Sequence, residues 1–149
     1  MTVANTDSRY QVIWLIRRLF RVMGSVADDY LKEDQLTAAH RAVMEFLYPH
    51  ERLSVPAIAG KYRVSRQHVQ VVVNELRAIG LIRALPNPQH KRSALMRLSE
   101  LGRATFEEIR RNESALIDKV FAELDTDAIE TTRHALQTLL DRFEKGSLT

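Results

Sequence analysis

The sequence predicts a mainly α-helical protein with a small β wing: a winged helix-turn-helix flanked by N- and C-terminal dimerisation helices. Three observations predict it. From Ser54 to Leu98 the chain reads as a short helix, a turn, a second helix, and two short strands joined by a basic loop. Positive charge is concentrated there: Lys61, Arg63, Arg66, Arg77, Arg83, Lys91, Arg92 and Arg97 stand against the single acid Glu75, a local +7 that leaves −4 on the remaining residues. At both ends, long amphipathic stretches lie outside this module.

Taken in order, Asp7 or Ser8 is an N-cap for a helix over Arg9–Leu31. Val12, Ile13, Ile16, Leu19, Phe20, Met23, Val26, Ala27 and Tyr30 recur every three or four residues. That stripe is wider than a small module needs for its own core, so part of it fits burial against a partner. Thr37 caps a second helix whose buried side is Val43, Met44, Phe46 and Leu47, and Pro49 ends it, because proline cannot continue the ladder. Leu53-Ser54-Val55 is a short strand. Pro56 opens a helix to Tyr62, at a position where its missing N–H costs nothing.

Ser65 caps the next helix, Arg66–Ile79, with Val69, Val72, Val73, Leu76 and Ile79 as its buried stripe. The β-branched run Val69, Val71, Val72, Val73 makes a strand the competing local reading. The N-cap, the length, and Gly80-Leu81 in the form of a Schellman stop favour helix. Leu81–Leu85 and Ala94–Leu98 are strands, and Pro86-Asn87-Pro88-Gln89-His90-Lys91 between them is polar, turn-forming and too long for a tight hairpin. Ser99-Glu100 opens a helix to about Leu124, and Asp125 or Thr126 caps a last one to about Lys145. The domain reading is one domain over 1–149, with the winged module at 36–98 and dimerisation helices at 8–32 and 100–145.

Composition narrows the function classes. With 149 residues and 45% apolar content the chain can bury a core. No stretch approaches the ~18 apolar residues of a membrane span, so no membrane partner is expected. The first residues lack the basic start and apolar centre of a secretory signal, and a cytoplasmic protein is the default expectation. Zero Cys rules out a disulfide framework and thiol sensing. An enzyme is not expected, for there is no Gly-rich phosphate loop and no spaced acid–base pair. No cofactor is implied. His68 and His90 lack a paired ligand at metal spacing, so no metal site is read.

The basic module carries the functional reading. A major groove admits one helix whose exposed residues reach base edges while its apolar back holds the scaffold. On Arg66–Ile79, the residues Arg66, Gln67, Gln70, Val71 and Asn74 lie opposite the apolar stripe. The amides of Gln67, Gln70 and Asn74 can pair bidentately with adenine, and Arg66 with guanine or a phosphate. Ser65 and the N–H groups at the helix start suit a phosphate, with His68 beside them. Each alone reads equally as a solvated polar residue; together, without an acid on that face, they point to double-stranded DNA. Lys91 and Arg92 lie on the wing with His90, and an extended basic loop can follow a narrow minor groove. The alternative is that Arg92 bonds back to the protein and holds the wing's shape.

LTAAHRAVMEFL, followed by VSRQHVQVVVNELRAIGLIRALPNPQHKRSALMRLSELGR, resembles the MarR family of transcription regulators. The resemblance covers nearly the whole chain and is most specific from Ser65 through the wing to Leu98-Ser99-x-x-Gly102. It implies a homodimer paired through N- and C-terminal helices, a recognition helix at Arg66–Ile79, a wing arginine at Arg92, and a palindromic operator released by a small organic, often aromatic, effector. An effector crevice by that resemblance would include Trp14, Arg18, His40 and Arg41; a core Trp beside solvated arginines is the other reading. Two departures stand out. His90 occupies the place of the usual acid two residues before the wing arginine, and Arg63 the place many helix-turn-helix turns give to Gly. The leading expectation is therefore a sequence-specific transcription regulator acting as a repressor. A non-specific architectural DNA-binding protein and a protein-binding winged helix are the alternatives.

Overall fold

The computed structural model describes residues 7–146, which divide into two compact units after Ile109. The elements are α1 (Ser8–Leu31), a 3₁₀ turn (Lys32–Asp34), α2 (Ala38–Leu47), β1 (Leu53–Ser54), α3 (Val55–Tyr62), α4 (Arg66–Ala78), β2 (Ile82–Leu85), β3 (Leu95–Leu98), α5 (Glu100–Val120) and α6 (Thr126–Glu144). Among the described residues no helix is long and apolar enough to cross a membrane.

The first unit is built around the winged module. Three strands form one antiparallel sheet in the order β1-β3-β2, with Leu53 opposite Met96 and Leu85 opposite Leu95. Met96 and Leu98 of β3 are buried while Leu95 and Arg97 are half-buried, the period-2 alternation of a sheet with one face on the core. Against that face pack the buried residues of α2 (Val43, Met44, Leu47), α3 (Ile58, Ala59), α4 (Val69, Val72, Val73, Leu76) and the start of α5 (Phe106, Ile109). The valine run is thus helical: its capped start and Gly stop hold the helix, and the core takes up Val69, Val72 and Val73.

Several expectations are corrected. Val55 lies inside α3 rather than in the strand, because Ser54 caps this helix by accepting the Ala57 N–H at 3.2 Å. Ile79 is exposed, not part of the buried stripe; it is the C-cap of α4, with φ −97° and ψ 8°, and its side chain leaves the helical register. α5 ends at Val120, short of Leu124. Leu124 N–H instead bonds the Phe121 carbonyl at 3.0 Å in the turn that lets Asp125 cap α6. A chain reversing between two helices needs a few residues off both axes, whatever their helix propensity.

α1 buries only Ala27 and Leu31, both near its C-terminal end. Leu15, Leu19, Phe20, Val22 and Met23 are exposed, Phe20 to 65%. In the second unit, α6 has no buried residue, and Leu136, Leu140 and Phe143 are open to solvent. On its polar side the Arg133 guanidinium bonds Glu130 at 3.0 Å and holds that carboxyl below the usual range.

Candidate nucleic-acid interface

The turn before α4 shows how the module is shaped. Arg63 ends α3 in the left-handed region, φ 57° and ψ 45°, and donates its N–H to the Ala59 carbonyl. The position thus has the backbone that favours glycine, and an arginine adopts it. Ser65 then caps α4, its Oγ accepting the His68 N–H at 3.0 Å. At the other end Gly80 takes φ 80°, and Leu81 N–H reaches back to the Leu76 carbonyl at 2.9 Å, as a Schellman stop requires.

Ser99 locks this stop to the helix that follows the wing. Its Oγ donates to the Gly80 carbonyl at 2.6 Å and accepts the Gly102 N–H at 2.9 Å. Its own N–H donates to the Leu81 carbonyl at 3.0 Å. A Cβ on Gly102 would lie 2.0 Å from the Leu81 carbonyl oxygen, so only glycine admits this approach. The Ser99-x-x-Gly102 signature therefore joins the end of α4 to the start of α5 and frames the wing between them.

α4 presents Arg66, Gln67, Gln70, Val71 and Asn74 to solvent, together with His68. Gln70 Nε2 donates to Asn74 Oδ1 at 2.8 Å, so the two amides are already linked one turn apart. Val71 is 51% exposed among these polar groups. The His68 ring lies 6.5 Å from that of Tyr62, at the α3 side of the helix.

The module's one acid is taken off this face. Glu75 Oε2 pairs with His40 Nε2 at 2.5 Å. His40 Nδ1 accepts the Thr37 N–H at 2.9 Å, which leaves Nε2 as the nitrogen that donates to Glu75. His40 is thus the third residue of a capping box at the start of α2 and, at its other nitrogen, the clamp on α4. The sequence analysis placed His40 only in an effector crevice. Its link to Glu75 spans 35 residues, and no local pattern signals it.

The other crevice residues fall in pairs. The Arg18 guanidinium lies 5.2 Å from the Trp14 ring centroid on α1. Arg41 on α2 bonds Glu45 at 2.8 Å and sits 5.5 Å over the Phe106 ring.

Two open clefts flank the wing. One, about 450 Å³, lies between α4 and the wing's root and is lined by Arg66, Gln67, Gln70, Arg77, Arg92 and Ser93 over an apolar floor that includes Val55 and Met96. The other, about 390 Å³, is lined by Arg52, Ser54, Asn87, Gln89 and His90, among others. Arg92 therefore shares a cleft with α4, and His90 lines the other one. Lys91, between them, is exposed. Arg77 is not among the site residues expected from sequence, although a helix turning about 100° per residue sets it within roughly 20° of Arg66.

These features define a winged helix-turn-helix in which the exposed face of α4 is polar, basic and free of an unpaired acid. A MarR family model matches residues 34–93, the stretch from the turn before α2 to the wing's root. The protein Rv2011c of Mycobacterium tuberculosis is 33% identical over 88 residues, 59% of this chain; the chain spans 62% of the length of that curated relative. Among solved structures, the MarR family transcription regulator SP03579 is 28% identical, with a TM-score of 0.77 over 95% of this chain and 93% of that one. The S. aureus MepR–DNA complex shares the fold at 20% identity, with a TM-score of 0.75 over 87% and 96% of the two chains. Over residues 34–93 the chain is thus similar to the MarR family, and it has the fold of that family's transcription regulators.

Proposed function

We propose that the protein is a dimeric, sequence-specific DNA-binding transcription regulator that acts as a repressor on a palindromic operator. The observation that carries this reading is the face of α4: Arg66, Gln67, Gln70 and Asn74 point to solvent, and the only acid nearby, Glu75, is held by His40. Two such helices related by a twofold axis would read two half-sites about 10 bp apart, or a near multiple. The dimer is formed by the flanking helices 8–32 and 100–145, whose exposed apolar residues would otherwise remain in water. The fold shared with a protein solved on DNA supports the same reading.

Footprinting on the region upstream of the protein's own gene tests it. A protected palindrome, with binding that weakens steeply as salt rises, is expected. Equal affinity for that site and for random duplex across the salt range would overturn it in favour of an architectural protein. Release by a small aromatic acid belongs to the same proposal. It rests on the Trp14–Arg18 pair and on Arg41 over Phe106, and a shift of the DNA-binding curve by one compound of an aromatic-acid panel is the expected result.

A further inference from the structure

The cleft between α4 and the wing holds three arginines and no carboxylate. Arg66 and Arg77 come from the two ends of α4, and Arg92 comes from the wing. Among the described residues none of the three guanidinium groups has a hydrogen-bond or ion-pair partner. Some other arginines are paired, Arg9, Arg41 and Arg133 each bonding a carboxylate at 2.8–3.0 Å; what sets the cleft apart is that three unpaired guanidinium groups line one concavity. Cations brought to one concavity without a counter-charge repel each other, and an anion seated among them relieves that cost. Guanidinium groups match a phosphate's oxygens in geometry as well as charge. Gln70 and Ser93 add neutral polar groups at the rim.

From this we infer that the α4–wing cleft is a phosphate site in which Arg77, with Arg66 and Arg92, holds one backbone phosphate of the bound DNA. The wing arginine then acts on the recognition-helix side, and Arg77 is the residue that joins wing and helix on one phosphate. The inference rests on the DNA-binding reading above but not on its sequence specificity.

Its test is the salt dependence of binding, measured on both the protected site and a random duplex. Each phosphate neutralised contributes about 0.9 to the slope of log affinity against log salt. Arg77→Gln should lower the slope on both duplexes, and Arg77→Lys, which keeps the charge, should restore it. The triple variant Arg66→Gln/Arg77→Gln/Arg92→Gln should lower the slope by about one per protomer and no more, since the three side chains share a phosphate. An unchanged slope for Arg77→Gln would overturn the assignment, as would a fall of about two or more in the triple variant, which would mean separate phosphates. A second arm separates DNA phosphate from a free anion. Inorganic phosphate should displace the duplex no better than chloride at equal ionic strength, and stronger displacement would assign the cleft to a free anion instead. Loss of preference for the protected site, with these slopes intact, would sink the specific-regulator reading and leave the cleft standing.

Discussion

Two helices of the first unit leave a whole face in solvent, and the faces are opposite in kind. α4 exposes Arg66, Gln67, Gln70 and Asn74, and buries Val69, Val72, Val73 and Leu76 behind them. α1 exposes Leu15, Leu19, Phe20 and Met23, and buries only Ala27 and Leu31. α4 is thus complete as a helix of a folded domain, with its apolar side satisfied and its polar side free to bind. α1 is incomplete: an apolar face of that size normally marks a contact with another molecule. Exposure alone therefore does not define a site. The chemistry exposed decides whether a face suits a polyanion or another apolar surface.

That contrast can be broken from the α1 side first. Phe20→Asp places a charge where apolar contact is proposed. The expected result is a monomer by sedimentation, and because two linked recognition helices bind about 10²–10⁴ times more tightly than one, operator affinity should fall by about that factor. Retention of the dimer would move the interface away from α1. The frame that holds the α4 face is tested next. Gly102→Ala drives a Cβ onto the Leu81 backbone and should cost about 3 kcal/mol of stability, read by denaturant unfolding. Gln70→Ala leaves association and folding intact and should remove about 1–3 kcal/mol of discrimination at one base pair, seen by comparing operator variants. The smallest effect is expected for Arg63→Gly. Glycine suits the left-handed turn but loses more chain entropy on folding, so a net gain near 0.5 kcal/mol in thermal stability is expected.

The features legible in the sequence were those with a local cause. Thr37, Ser65 and Asp125 cap their helices through side-chain oxygens three residues from the N–H groups they satisfy. Gly80 stops α4 by its positive φ, and the alternation in β3 places Met96 and Leu98 inward. The amide face of α4 followed from helical spacing once Ser65 and Gly80 bounded it. What local pattern did not show had a distant partner. The clamp of His40 on Glu75 joins residues 35 apart, and Ser99 reaches the Gly80 carbonyl across 19. The exposure of Ile79 depends on the backbone leaving the helix at that residue.

By itself, then, the sequence determined the order of elements, the basic module and the polar face of its second helix, because capping, periodicity and charge act over a few residues. Only the tertiary structure decided where the charges of that module point. It drew Glu75 away to His40, and it brought Arg77 and Arg92 to one cleft from opposite sides of the Gly80 turn. Those outcomes depend on how α2, α4 and the wing pack, and a hydrogen bond or a shared cleft between distant segments exists only once the core beneath them has formed.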